Sequence, residues 1–135
     1  GTISLFLSKE AKKIIGIETV KDAVQAAKSN SKLNNISNCK FIHGDVKDII
    51  AKPIEVNEKP DIIIVDPPRN GLEKSVIKSI IELSPNKIIY VSCNSSTQAR
   101  DIIDLKEFYE IKTSQAIDMF PQTYHVENVV LLEKI

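Results

Sequence analysis

The chain has 135 residues and equal numbers of basic and acidic side chains, 18 each, so its formal net charge is zero. Hydrophobic residues make up 42% and charged residues 27%, which excludes a disordered polymer and fits one globular domain with a real core. The neutral balance carries no global mark of a nucleic-acid binder, since only a local basic patch is compatible with it.

The longest apolar runs are far too short to span a bilayer. The two cysteines, Cys39 and Cys93, lack metal-ligand spacing and follow no secretory leader. A cytoplasmic protein with reduced thiols, no metal and no membrane contact is expected.

The chain opens with Gly1-Thr2 and passes straight into an amphipathic helical pattern over residues 2–12. Residues 14–18 read as a strand. Residues 20–33 read as a helix with apolar positions near a period of 3.6, stopped by Asn34 and Asn35. A strand follows at 39–43, then a short helix at 45–51 ended by Pro53, and a polar loop at 52–60. Residues 61–65 form a nearly all-apolar run, as expected of a strand covered on both sheet faces. A helix at 72–83 ends at Ser84-Pro85-Asn86. A buried strand is expected at 87–91 and a helix at 96–106. Strands at 109–116 and 127–134 flank the 118–124 loop and, with no helix between them, should pair antiparallel.

The order is thus αβαβαβαβα followed by ββ. Such alternation means an α/β fold with a mostly parallel, doubly wound sheet. The terminal antiparallel pair narrows it to the Rossmann-like methyltransferase architecture. No strand precedes the first helix, so the sheet is expected to lack its first strand. Ligands of such sheets bind beyond the carboxyl ends of the strands, and the residues that could carry chemistry fall mostly there.

Glu18 ends the first strand, where a carboxylate can hold ribose hydroxyls or simply lead into the next helix. Asp45, in Gly44-Asp45, can accept from an adenine amine or cap the following helix; both hold only if different oxygens serve the two roles. Asp66-Pro67-Pro68-Arg69 is more specific. The prolines hold the loop extended and remove two donors, fixing Asp66, while Arg69 offers a fork suited to phosphate; the alternative is a stiff turn with a solvated arginine.

Cys93, in Ser92-Cys93-Asn94, closes a strand just before a helix whose positive end favours thiolate; the alternative is a buried, inert thiol. Cys39 is expected to be a small hydrophobe near a strand start. Glu127 enters a buried strand, where burial suits a general base, or is an exposed strand-end acid. His125 touches phosphate, orients a neighbour or serves the structure.

Three segments then carry a resemblance: Asp66-Pro67-Pro68-Arg69-Asn70-Gly71-Leu72, Val91-Ser92-Cys93-Asn94, and Met119-Phe120-Pro121-Gln122-Thr123-Tyr124-His125-Val126-Glu127. In that order and spacing they resemble the RNA uracil-5-methyltransferases, over essentially the whole chain. Gly16-Ile17-Glu18 and Gly44-Asp45 match less specifically.

The resemblance implies S-adenosylmethionine as cofactor and a uridine of tRNA or 23S rRNA as substrate. It implies Cys93 as the nucleophile at ring carbon 6, Glu127 as the base that removes the carbon 5 proton, and Asp66 between cofactor and pyrimidine. It assigns Glu18 to the ribose, Asp45 to the adenine, and Arg69 and His125 to RNA contacts. The target uridine must leave any stack to reach Cys93.

Family members carry a strand and a glycine-rich turn before the segment matching Gly1-Thr2, and commonly an N-terminal RNA-binding domain, in some with an iron–sulfur cluster. Residues 1–135 are therefore expected to be the C-terminal part of a catalytic domain, weak or inactive alone and prone to self-association through an uncovered sheet edge. Ser95 stands where the family often has proline.

Two other classes remain. Amino-group methyltransferases share Asp-Pro-Pro but usually follow it with an aromatic residue, and they leave Cys93 and Glu127 unexplained. A non-catalytic RNA- or protein-binding domain of this fold would be indifferent to both residues.

Overall fold

The computed structural model describes residues 1–50 and 59–135. The expected 52–60 loop, the last residue of the 45–51 helix and its stop at Pro53 lie largely outside the described residues. The chain divides into two compact units, Gly1–Glu55 and Val56–Ile135.

The first unit begins with α1 (Thr2–Phe6), which tightens into a 3-10 turn at Leu7–Lys9. The expected helix over 2–12 is therefore shorter. Ser8 Oγ bonds back to the Leu5 carbonyl at 2.7 Å, a local bond that competes with helical continuation. Asn38 Nδ2 then takes the Ser8 and Ala11 carbonyls at 2.7 and 2.8 Å, so the shortened end leaves them satisfied.

β1 (Ile14–Glu18) pairs in parallel with β2 (Cys39–His43), joined through α2 (Lys21–Leu33). Val24 and Ala27 on α2 bury against Phe41 of β2, with Leu5 and Cys39 packed on them. Cys39 is thus the expected small hydrophobe, and burial raises the pKa of its thiol. α3 (Val46–Ile50) follows.

In the second unit the strand order is β3 (Ile62–Val65), β4 (Lys87–Ser92), β6 (Glu127–Lys134), β5 (Tyr109–Ile117). β3 and β4 are parallel, while β6 lies antiparallel between β4 and β5. The terminal pair is therefore antiparallel, as its short connection requires. α4 (Lys74–Leu83) and α5 (Ser95–Leu105) link the strands. Val76, Ile77, Ile80, Ile88, Leu105 and Leu132 are buried in this unit.

The described strands form a two-stranded parallel sheet and a four-stranded mixed sheet. Two expectations shift. The all-apolar β3 is not covered throughout: it ends its sheet's strand order, and Ile62 stays 50% exposed. The helix expected from residue 72 starts at Lys74, because Glu73 is extended and the Leu72 N–H is held by Asp101 at 2.7 Å. No described helix is long and apolar enough to cross a membrane.

Candidate active site

Strand register brings three of the expected residues together. Val65 lies beside Tyr90 and Ser92 lies opposite Asn128. One step beyond those ladders stand Asp66, beside Val91, and Cys93, facing Glu127. Asp66, Cys93 and Glu127 all line one open cleft of about 470 Å³. Ile117, Met119 and Phe120 supply its apolar wall. A nucleophile and two carboxylates in a mostly apolar cleft can hold a flat ring, attack it and collect a proton.

Cys93 and Glu127 are half-buried, whereas Asp66 is exposed. Cys93 is therefore not sealed in the core, and none of the described residues hydrogen-bonds its thiol. Its position is fixed by the backbone around it. Ser92 Oγ accepts from the Asn94 N–H and donates to the Asn94 carbonyl, both at 3.0 Å. Asn94 then caps α5, its side-chain oxygen accepting from the Ser96 N–H at 3.1 Å.

The Asp66-to-Leu72 loop is clamped from the same side. Asn94 Nδ2 and Thr97 Oγ1 both donate to the Arg69 carbonyl at 3.1 Å. The Arg69 guanidinium donates to His125 Nδ1 at 3.0 Å. Arginine cannot accept, so Nδ1 is the acceptor and the ring proton sits on Nε2. Arg69 and His125 thus meet each other, which leaves the His125 Nε2–H as the ring's donor.

A buried polar network, unforeseen from the sequence, anchors this loop. Asp101 is 1% exposed. Its Oδ2 accepts from the Tyr90 hydroxyl at 2.6 Å and the Leu72 N–H at 2.7 Å. Its Oδ1 accepts from Arg100 Nη2 at 2.6 Å, and Arg100 also holds the Asn70 carbonyl at 2.9 Å. Gly71 adopts φ +80°, and a Cβ there would lie 2.5 Å from Asp101 Oδ2, so the loop needs glycine at this point.

Gln98 ties β4 to β6, donating to the Tyr90 and Asn128 carbonyls at 2.9 and 3.2 Å. One signal was available: Gln98, Asp101 and Leu105 share one face of α5 by spacing. Polar residues at core positions of an amphipathic helix mark a satisfied internal network.

Burial, then the Asp101 carboxylate, push the Tyr90 phenol well above the ordinary tyrosine value. A proton held more tightly in the folded chain stabilises it fully below the unfolded value, about 10. That stabilisation is lost as pH rises from there toward the folded value. Stability should therefore fall above about pH 10, and Tyr90→Phe should make that decline shallower. Urea unfolding at several alkaline pH values reads the slope; identical slopes would contradict the assignment.

In the first unit, Glu18 and the Gly44-Asp45 turn sit at adjacent strand ends, and the Gly44 N–H donates to the Glu18 carbonyl at 3.0 Å. Glu18 Oε1 accepts from the Val20 N–H at 2.9 Å. Its Oε2 has no partner among the described residues. Asp45 Oδ1 accepts from the Lys47 N–H at 3.0 Å, the capping role, and Oδ2 lies 3.3 Å from the Lys47 ammonium. The Lys47 backbone N–H holds the Asp45 carboxyl below its usual value. One oxygen of each carboxylate is thus structural, and the other faces no fixed backbone donor.

The family profile described as tRNA (Uracil-5-)-methyltransferase matches residues 1–135. A protein of Clostridium acetobutylicum described as an uncharacterized RNA methyltransferase is 50% identical over 135 residues, covering 99% of this chain and 29% of its own length. One of Bacteroides thetaiotaomicron with the same description is 48% identical over 134 residues, covering 98% and 30%. The chain therefore spans about 30% of these relatives.

Among solved structures, the Pyrococcus abyssi tRNA (uracil-54, C5)-methyltransferase in complex with S-adenosyl-L-homocysteine superposes with a TM-score of 0.82 at 34% identity, over 98% of this chain and 31% of that one. An rRNA methylase of Streptococcus thermophilus, 14% identical, shares the fold, with a TM-score of 0.72 over 98% of this chain and 79% of that one.

Proposed function

The chain belongs to the tRNA (uracil-5-)-methyltransferase family, and from that premise we propose that its parent protein transfers a methyl group to carbon 5 of a uridine in RNA, through a covalent adduct on Cys93. The observation that carries this reading is the convergence of Cys93, Glu127 and Asp66 on one cleft.

The chemistry needs each of them. Carbon 5 of uracil is a poor nucleophile. The Cys93 thiolate adds to carbon 6, and the ring becomes an enolate with electron density at carbon 5. S-adenosylmethionine supplies an electrophilic methyl group on a sulfonium, whose sulfur leaves as a neutral thioether. Carbon 5 then bears both the methyl group and its original hydrogen. Glu127 removes that hydrogen as a proton, the double bond re-forms, and the Cys93 thiolate is expelled. Asp66 orients the pyrimidine between cofactor and nucleophile.

Glu18, through its unpartnered oxygen, would hold the ribose of the cofactor, and Asp45 Oδ2 its adenine amine. The geometry of both turns fits that group, because each leaves one carboxylate oxygen free of backbone donors. Arg69 and His125 would receive RNA phosphate or base edges.

The test is Glu127→Gln in the full-length protein. Without the base, carbon 5 keeps its proton and the thiol cannot leave. Methylated RNA should accumulate as a protein-linked species while turnover drops about 10²- to 10⁴-fold. Denaturing gels with radiolabelled RNA show the linked band. Free methylated RNA released at the wild-type rate would sink the assignment of Glu127.

A further inference from the structure

Resting on the uracil reading above, we infer that Tyr124 is a stacking platform for the base of a nucleotide flanking the target uridine in a single-stranded stretch of RNA. Tyr124 is 86% exposed. Its ring meets that of His125 at a centroid distance of 4.2 Å and is otherwise open. Burial therefore does not explain why the ring stands there.

The loop around it is held by its own backbone and threonine bonds. Thr123 donates to the Phe120 carbonyl through both N–H and Oγ1 at 2.9 Å, and Thr123 Oγ1 accepts from the His125 N–H at 3.2 Å. Tyr124 is thus presented on a fixed turn, which lowers the ordering cost of stacking a base on it.

The neighbours select the ligand class. Phe120, four residues earlier in the same turn, lines the cleft that holds Cys93. Tyr124 follows Phe120 by four residues, close enough along the chain to take the next base of a polymer that has one base in that cleft. Beside the ring, Arg69 and the Nε2–H of His125 offer donors to phosphate. An aromatic face next to cationic donors is the composition that binds single-stranded nucleic acid with little regard to base identity.

The experiment uses the full-length protein and an unstructured RNA oligonucleotide with one 5-fluorouridine and 2-aminopurine on its 5′ or 3′ side. Wild type should form a covalent adduct, and the 2-aminopurine on one side should be quenched. Tyr124→Ala should lose that quenching and bind the RNA about 5- to 150-fold more weakly; Tyr124→Phe should keep both. Unchanged quenching and affinity in Tyr124→Ala, with the wild-type adduct present, would overturn the platform and leave the uracil reading standing. Unchanged affinity with a lowered melting temperature of the free protein would mark the ring as a protein-packing surface instead. Absence of the adduct in wild type would remove the uracil reading, and the platform with it.

Discussion

Replacing Cys93 with alanine should lower RNA methylation by at least about 10⁴-fold, the scale on which removal of a covalent nucleophile acts. Among the described residues the cleft has no substitute. Its other polar lining groups are the carboxylates of Asp66 and Glu127, and its remaining walls are aliphatic, aromatic or thioether. Neither carboxylate does what a thiolate does at carbon 6. The loss should therefore fall on the chemical step and not on RNA affinity. Stability should hardly change, because Cys93 is half-buried and its backbone is positioned by Ser92 and Asn94. A variant that folds and binds but does not react is the expected phenotype, read from single-turnover kinetics. Near-normal turnover would favour an amino-group methyltransferase on the same fold, and binding indifferent to both Cys93 and Glu127 a non-catalytic RNA-binding domain.

The opposite phenotype is expected of Asp101→Ala. Asp101 touches nothing in the cleft, yet it accepts hydrogen bonds from Tyr90, Leu72 and Arg100. Truncation leaves the buried Tyr90 hydroxyl and the Leu72 N–H without their acceptor. Each orphaned donor costs about 1–3 kcal/mol, so a loss of about 2–6 kcal/mol is expected. Arg100 is half exposed, so its own loss adds little. The Asp66-to-Leu72 loop, released from α5, should also present Asp66 and Arg69 less accurately. Asp101→Asn keeps one acceptor and the shape, and should recover part of the stability. Urea unfolding of both variants reads the difference; a change below about 0.5 kcal/mol for the alanine variant would contradict the network's structural role.

Much of this arrangement was legible in the sequence. Apolar runs ending just before Asp66 and Cys93, and one opening at Glu127, marked strand ends, and open α/β sheets place reactive residues beyond the carboxyl ends of their strands. The short connection between the last two strands implied that they pair antiparallel with each other, but not that β6 would lie beside β4 and so bring Glu127 near Cys93. Local competition was less visible. Ser8 truncates the first helix through a bond to its own turn, and Asp101 delays α4 by capturing the Leu72 N–H from far along the chain.

Asp45 shows a middle case. Capping and ligand binding were both open from sequence, and the structure gives Oδ1 to the cap while leaving Oδ2 with only an exposed lysine. The Arg69–His125 pair was hidden because no spacing rule joins residues on a loop after β3 and before β6. Periodicity identifies elements, but it does not name which long-range polar groups will meet.

The most direct measurement is mass spectrometry of the full-length protein after incubation with S-adenosylmethionine and RNA containing 5-fluorouridine. Fluorine at carbon 5 cannot leave as a proton, so the adduct should be trapped with its methyl group in place. The account predicts a nucleotide mass on the peptide that contains Cys93, absent in Cys93→Ala. A protein that methylates uridine yet yields no modified peptide, or carries the nucleotide on another residue, would contradict it.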